Sequence, residues 1–164
     1  MQIIGRFNNN ALGIIIVLFL AIVLVSCGKS ESTYTPVTKF DSTRNAMDDL
    51  NLAIVEAQKV NKNIILDVGG EWCIWCHRLD KFIEDHQELK DYLDKNFIVV
   101  KINYSPENKN EEFLSQFPQV AGYPHLFVLD TKGKLLHSQN TGDLELDKSY
   151  DAGEIMNFLK EWSM

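Results

Sequence analysis

Two cysteines three residues apart, in Trp72-Cys73-Ile74-Trp75-Cys76-His77, constrain this chain more than any other feature. An apolar run, Ile64-Ile65-Leu66-Asp67-Val68, leads into them, and a helical pattern starts at Cys76. Such a pair, with its first member at a helix start, can close a small disulfide ring and open it again. The partial positive charge of a helix N-terminus favours the thiolate of Cys73 over its thiol. The thiolate is the species that attacks a disulfide. Three readings are open at this stage: redox chemistry, metal binding, and covalent haem attachment through Cys73-x-x-Cys76-His77.

The first 26 residues hold a single charge, Arg6, and Ala11 to Val25 is almost unbroken apolar sequence. This is the layout of a secretory signal, and the run is short for a membrane span, which takes about 20 apolar residues. It ends in Leu24-Val25-Ser26-Cys27-Gly28, which resembles the lipobox of bacterial lipoproteins. That resemblance implies cleavage before Cys27 and lipid on Cys27. The expected organisation is signal peptide 1–26, polar tether 27–42 and folded domain 43–164. The expected location is the bacterial cell envelope, with the domain anchored to a membrane and outside the cytoplasm, facing the periplasm or the surface. Fully extended, the Ser/Thr-containing stretch Gly28 to Asp41 reaches at most ~50 Å.

Loss of Arg6 takes the formal charge from −7 to −8, so the domain lacks the basic footprint of a nucleic-acid partner. With Cys27 assigned to lipid, Cys73 and Cys76 are the only thiols left, in a compartment that permits disulfides.

Along the domain, Ala46, Leu50, Ala53, Ile54, Ala57 and Val60 share one helical face, predicting a helix over about 43–61. Val37 to Phe40 is a short strand candidate. Strands are expected at 64–68, 97–102 and 125–129, with a hairpin return at 134–137. Gly69-Gly70 keeps bulk away from the reactive pair. After the helix bearing Leu79, Phe82 and Ile83, a capping box at Asp85 to Glu88 predicts a break and a second segment. Ser105-Pro106-Glu107 predicts another helix start. A polar loop around Gly142 precedes a last helix capped by Asp151. Helical crossovers join parallel strands and the hairpin adds antiparallel ones, so the expected architecture is a three-layer α/β/α sandwich on a mixed sheet.

Over about residues 43–163 the chain resembles the thioredoxin superfamily, in particular exported thioredoxin-like proteins and the reducing domain of thiol:disulfide interchange proteins. The matching residues are Asp67, six before Cys73; Glu71-Trp72 leading into the motif; Lys101 on the next strand; and Tyr123-Pro124 before the following one. The resemblance implies the residue roles. Cys73 is the exposed nucleophile, and Cys76 resolves the mixed disulfide. Asp67 beside Lys101 takes the Cys76 proton, and Trp72 shields the sulfurs. Tyr123 and a cis-Pro124 receive a substrate strand, with Trp75 also on the substrate side. It further implies a reductase of exported proteins, recharged by an upstream redox partner, with no cofactor and no metal. A disulfide oxidase or isomerase, or a redox-inactive binding module, are the other readings of this fold. The haem reading has no use for Asp67, Lys101 or Tyr123-Pro124. A zinc site wants four ligands, and a second CxxC is missing.

Two residues depart from the family pattern. Ile74-Trp75 replaces the Gly-Pro of cytosolic thioredoxin, so the reduction potential does not carry over; related folds span ~150 mV. His125 stands where thioredoxins usually have Thr, and either reaches the sulfurs or lies at the surface.

Overall fold

The computed structural model describes Gln2 and residues 34–164. The segment read as a signal, and Cys27 with it, lie outside the described residues. Asn45 opens α1 (Ala46–Val60) by accepting from the amides of Met47 and Asp48, and Asn61 ends it in the left-handed conformation. The helix buries Ala46, Leu50, Ala53 and Ala57, as the spacing predicts, while Val60, expected on the same face at the helix end, is exposed.

β1 (Asn63–Gly69) is buried along its whole length. It pairs in parallel with β2 (Phe97–Asn103) and antiparallel with β3 (His125–Leu129), and β3 pairs with β4 (Leu135–Asn140). The spatial order is β2-β1-β3-β4, with β1 and β3 in the centre. Between β3 and β4, Asp130 Oδ1 accepts from the amides of Lys132 and Lys134, and Gly133 takes the positive φ of 81° that closes the turn.

Alternation along β1 separates two cores. Ile64, Leu66 and Val68 face α1 together with Val100, Ile102, Phe127 and Leu129. Ile65 faces the other side with Leu79, Leu89, Val128, Ile155 and Phe158, contributed in part by α2 (Ile74–Asp85), α3 (Gln87–Asn96) and α5 (Ala152–Trp162). Asp67 shares that second face. The architecture is the expected three-layer sandwich.

Four expectations are corrected. First, the folded unit begins at Tyr34, because Val37 bridges to Val100 and Val37 and Phe40 are both buried; residues 34–42, read as tether, form a strap along the outer edge of β2. Second, Ser105 starts no helix. Its amide and carbonyl close a turn with Asn108, whose side chain donates to Ser42 and Arg44 carbonyls, and only the single turn α4 (Glu111–Leu114) follows. Third, the break at His86 stands without a side-chain cap, since its ring binds the Phe82 carbonyl instead. Fourth, the polar loop near Gly142 is a 3-10 turn (Thr141–Leu144) and a small hairpin, β5 (Glu145–Leu146) with β6 (Ser149–Tyr150).

Candidate redox site

α2 begins where β1 ends its run across the sheet. Cys73 is the N-cap of α2, its Sγ accepting from the Cys76 amide at 3.1 Å, and the first turn carries no acidic side chain. The helix N-terminus is therefore free to act on the sulfur. Cys73 and Cys76 are joined in a disulfide, S–S 2.09 Å. A Cβ placed on Gly69 would lie 2.5 Å from the Cys76 sulfur, so only glycine lets the sulfur rest against the strand there. Gly69 serves the purpose that the sequence suggests, whereas a Cβ on Gly70 would meet Trp72 and the Tyr104 carbonyl.

Gly69 has the same parity along β1 as Asp67, which places the dithiol on the Asp67 face of the sheet. Asp67 is in register with Lys101, and Lys101 Nζ donates to Asp67 Oδ2 at 2.7 Å. The same ammonium donates to Asp80 Oδ1 at 2.6 Å. Burial raises the Asp67 carboxyl above its ordinary range, and outweighs the attraction of Lys101. Burial alone would lower Lys101, but Asp67 and Asp80 together hold it above its usual value. Asp67 Oδ1 is buried without a hydrogen-bond partner among the described residues, so the carboxyl retains one oxygen able to accept a proton.

One sequence expectation about exposure changes. Cys73 is 3% exposed in the disulfide form, close to the 1% of Cys76, so it is not an open nucleophile in this state. Trp72 is itself 56% exposed. Its Nε1 donates to the Tyr104 carbonyl at 2.6 Å, and its ring meets Tyr123 edge-on. The apolar groups around the sulfurs are Phe40, Trp75 and Tyr123. Tyr123 stacks on Tyr104 at 4.8 Å, and burial followed by that neighbour pushes its phenol up to about 12. The Tyr123–Pro124 bond is cis, as expected, and the Pro124 carbonyl accepts from Thr141 Oγ1 at 2.6 Å.

Trp75 turns its ring against Tyr150 and carries Arg78 over its face at 4.5 Å. Tyr150 donates to the Trp75 carbonyl at 3.3 Å. His77 lies at the surface with Nε2 on the Glu71 carbonyl. His125 is neither at the surface nor with the sulfurs. It pairs with Val68 and so faces the α1 side, 3% exposed, with Nε2 on Ser138 and its ring against Phe127.

Sequence reasoning overlooks Asp80, Phe40 and Tyr150. Asp80 was accessible, because it lies one turn after Cys76 on the same helix face. Phe40 and Tyr150 lie in irregular or very short elements, where no periodicity marks a buried side.

A family model described as thioredoxin-like matches residues 45–131. The chain belongs to this thioredoxin-like family. Among curated proteins it is 32% identical over 76 residues to the disulfide bond reductase DsbH of Chlamydia pneumoniae, covering 42% of this chain and 45% of that protein. It is 26% identical over 135 residues to the thiol:disulfide interchange protein DsbD of Vibrio vulnificus strain CMCP6, covering 79% of this chain and 22% of DsbD. The matched stretch thus spans less than half the length of either relative. Among solved structures, a disulphide isomerase from Xylella fastidiosa Temecula1 superposes with a TM-score of 0.65 at 23% identity, over 78% of this chain and 98% of that one. The oxidised C-terminal domain of Neisseria meningitidis DsbD gives 0.52 at 20% identity, over 71% and 95%. These two likenesses establish the fold.

Proposed function

We propose that this protein is a membrane-anchored thiol–disulfide oxidoreductase that reduces disulfides of exported proteins through Cys73 and Cys76. The observation that carries this is the dithiol itself: Cys73 caps a helix N-terminus, and Cys76 rests on Gly69 on the face that holds the half-satisfied Asp67 carboxyl. In the reduced protein the Cys73 thiolate attacks a substrate disulfide. A Cys73–substrate bond forms and the other substrate sulfur leaves as a thiolate, which takes a proton from water. Cys76 then passes its proton to Asp67 and attacks Cys73 Sγ, releasing the second substrate sulfur. The substrate gains two electrons, and the protein ends as the Cys73–Cys76 disulfide. An upstream dithiol must then reduce it again. Trp72, Tyr123 and Pro124 form the substrate side, where Trp72 and Ile74 are exposed apolar surface beside the sulfurs. Lipid on Cys27 supplies the anchor.

The test is disulfide exchange by the full chain and its variants. Cys73→Ser should abolish reduction of a protein disulfide, and Cys76→Ser should accumulate mixed disulfides visible on non-reducing gels. Trapping by Cys73→Ser and none by Cys76→Ser would reverse the assignment of nucleophile. Equilibration with glutathione sets the direction: a potential near about −120 mV, that of a strong oxidant, would contradict the reductase reading. In the same cells Cys27→Ser should leave an unprocessed, unlabelled precursor; unchanged processing and fractionation would remove the lipid anchor.

A further inference from the structure

Phe40 belongs to the strap at the outer edge of β2 and is in no helix or strand. It is nevertheless 5% exposed and shares one small buried cluster with the two cysteines. Its ring carbons lie 3.0 and 3.2 Å from the position a Gly69 Cβ would take, a point 2.5 Å from the Cys76 sulfur. On its face sits the Lys101 ammonium, 4.2 Å from the ring centre. The strap also holds the Lys101 backbone, whose amide donates to the Val37 carbonyl at 3.1 Å. One short segment thus grips Lys101 at both ends and covers the sulfur that must lose a proton.

We propose that Phe40 is a positioning residue of the redox centre: its ring carries the Lys101 ammonium and keeps water from the Asp67–Cys76 side of the dithiol. Acting through Lys101 and Asp67, it governs how readily Cys76 is deprotonated. This rests on the oxidoreductase reading above. The ionisable groups around this point are Lys101 from β2, Asp67 from β1, Asp80 and Cys76 from α2, Cys73 at its N-cap, and Tyr150 from β6, which interacts with Asp67. An aromatic face attracts the ammonium electrostatically, whereas the smaller aliphatic side chain of leucine does not and fills less of the space beside the sulfurs. Removing the ring admits water to a buried carboxyl and a buried thiol, and hydration favours their charged forms.

The experiment follows alkylation of the reduced full chain by iodoacetamide across pH, with the Cys73 and Cys76 peptides resolved by mass spectrometry. In Phe40→Leu the midpoint for Cys76 should fall by about one pH unit. Phe40→Tyr, which keeps the aromatic face, should leave it in place. Should the Leu variant fail to fold, Phe40→Met makes the same comparison. Superposed Cys76 profiles in the wild type and the aliphatic variant, even with lowered thermal stability, would reduce Phe40 to a core filler and overturn the proposal. So would a Tyr variant that shifts as far as Leu. Alkylation needs no disulfide substrate. A wild type that reduces no disulfide would therefore sink the proposed function and leave this comparison to be read on its own.

Discussion

Asp67 and His125 sit on paired strands one register step apart, both buried and both titratable, yet they face opposite sides of the sheet. Desolvation penalises the charged form of each, raising the carboxyl and lowering the imidazole. The difference lies in what surrounds them. Asp67 has an ammonium at 2.7 Å, a second carboxylate sharing it, and the dithiol on the same face. His125 has one hydroxyl, an aromatic ring and an apolar core. Burial alone therefore does not mark a functional residue. The Asp67 side holds a charge network beside a reactive pair, and the His125 side holds a neutral ring satisfied at one nitrogen.

The most forceful way to break this comparison is to remove the ammonium. Lys101→Met leaves Asp67 buried without its partner, and breaking such pairs costs about 3–5 kcal/mol. Urea unfolding at neutral pH should show a loss of that order. A loss below about 1 kcal/mol would mean that the pair behaves as a solvated surface bridge.

A smaller effect comes from Asp67→Asn. The folded carboxyl titrates above the unfolded one, so between those two values the folded protein binds more protons. Stability then falls as pH rises through that window, and is greatest below it. Asn cannot ionise, so the variant should lose this decline and gain on the wild type as pH rises above about 4. It should also slow release from the mixed disulfide without affecting the first attack. Parallel stability curves across pH would show that burial does not disfavour the Asp67 charge.

The least effect is expected at His125. Its folded pKa lies below the unfolded ~6.5, so its contribution is complete above that value and is lost as pH falls through it. His125→Phe should change stability near pH 7.5 by no more than about 1 kcal/mol, the worth of its bond to Ser138. Near pH 5 it should gain on the wild type. Cys73 alkylation should be untouched. A shift in that alkylation would bring His125 back to the sulfurs and dissolve the contrast between the faces.

Much of the arrangement was legible from residue order. The helix over Ala46–Val60, the strand into the dithiol and the Asp151-capped last helix follow from local rules, and the Asp67–Lys101 pairing is what the family resemblance implies. The helix and strand signals are local: a cap or a period is decided within a few residues. Ser105-Pro106-Glu107 misled because a start signal propagates only if the chain after it is free to coil. Here Asn108 binds the carbonyls of Ser42 and Arg44, more than 60 residues away, and holds the loop in another shape.

By itself the sequence determined the chemistry available: two thiols, a helix N-terminus to act on one of them, a glycine to admit them, and a carboxyl and an amine on neighbouring strands. Tertiary structure alone decided which groups surround that chemistry. It brought Phe40 over Lys101 from a segment that reads as tether and set Asp80 on the shared ammonium. It also placed Tyr150 under Trp75 from a segment that reads as loop, and turned His125 away. The physical reason is that shielding and charge depend on what is close in space, and a side chain in an irregular segment carries no periodic sign of where it will be buried.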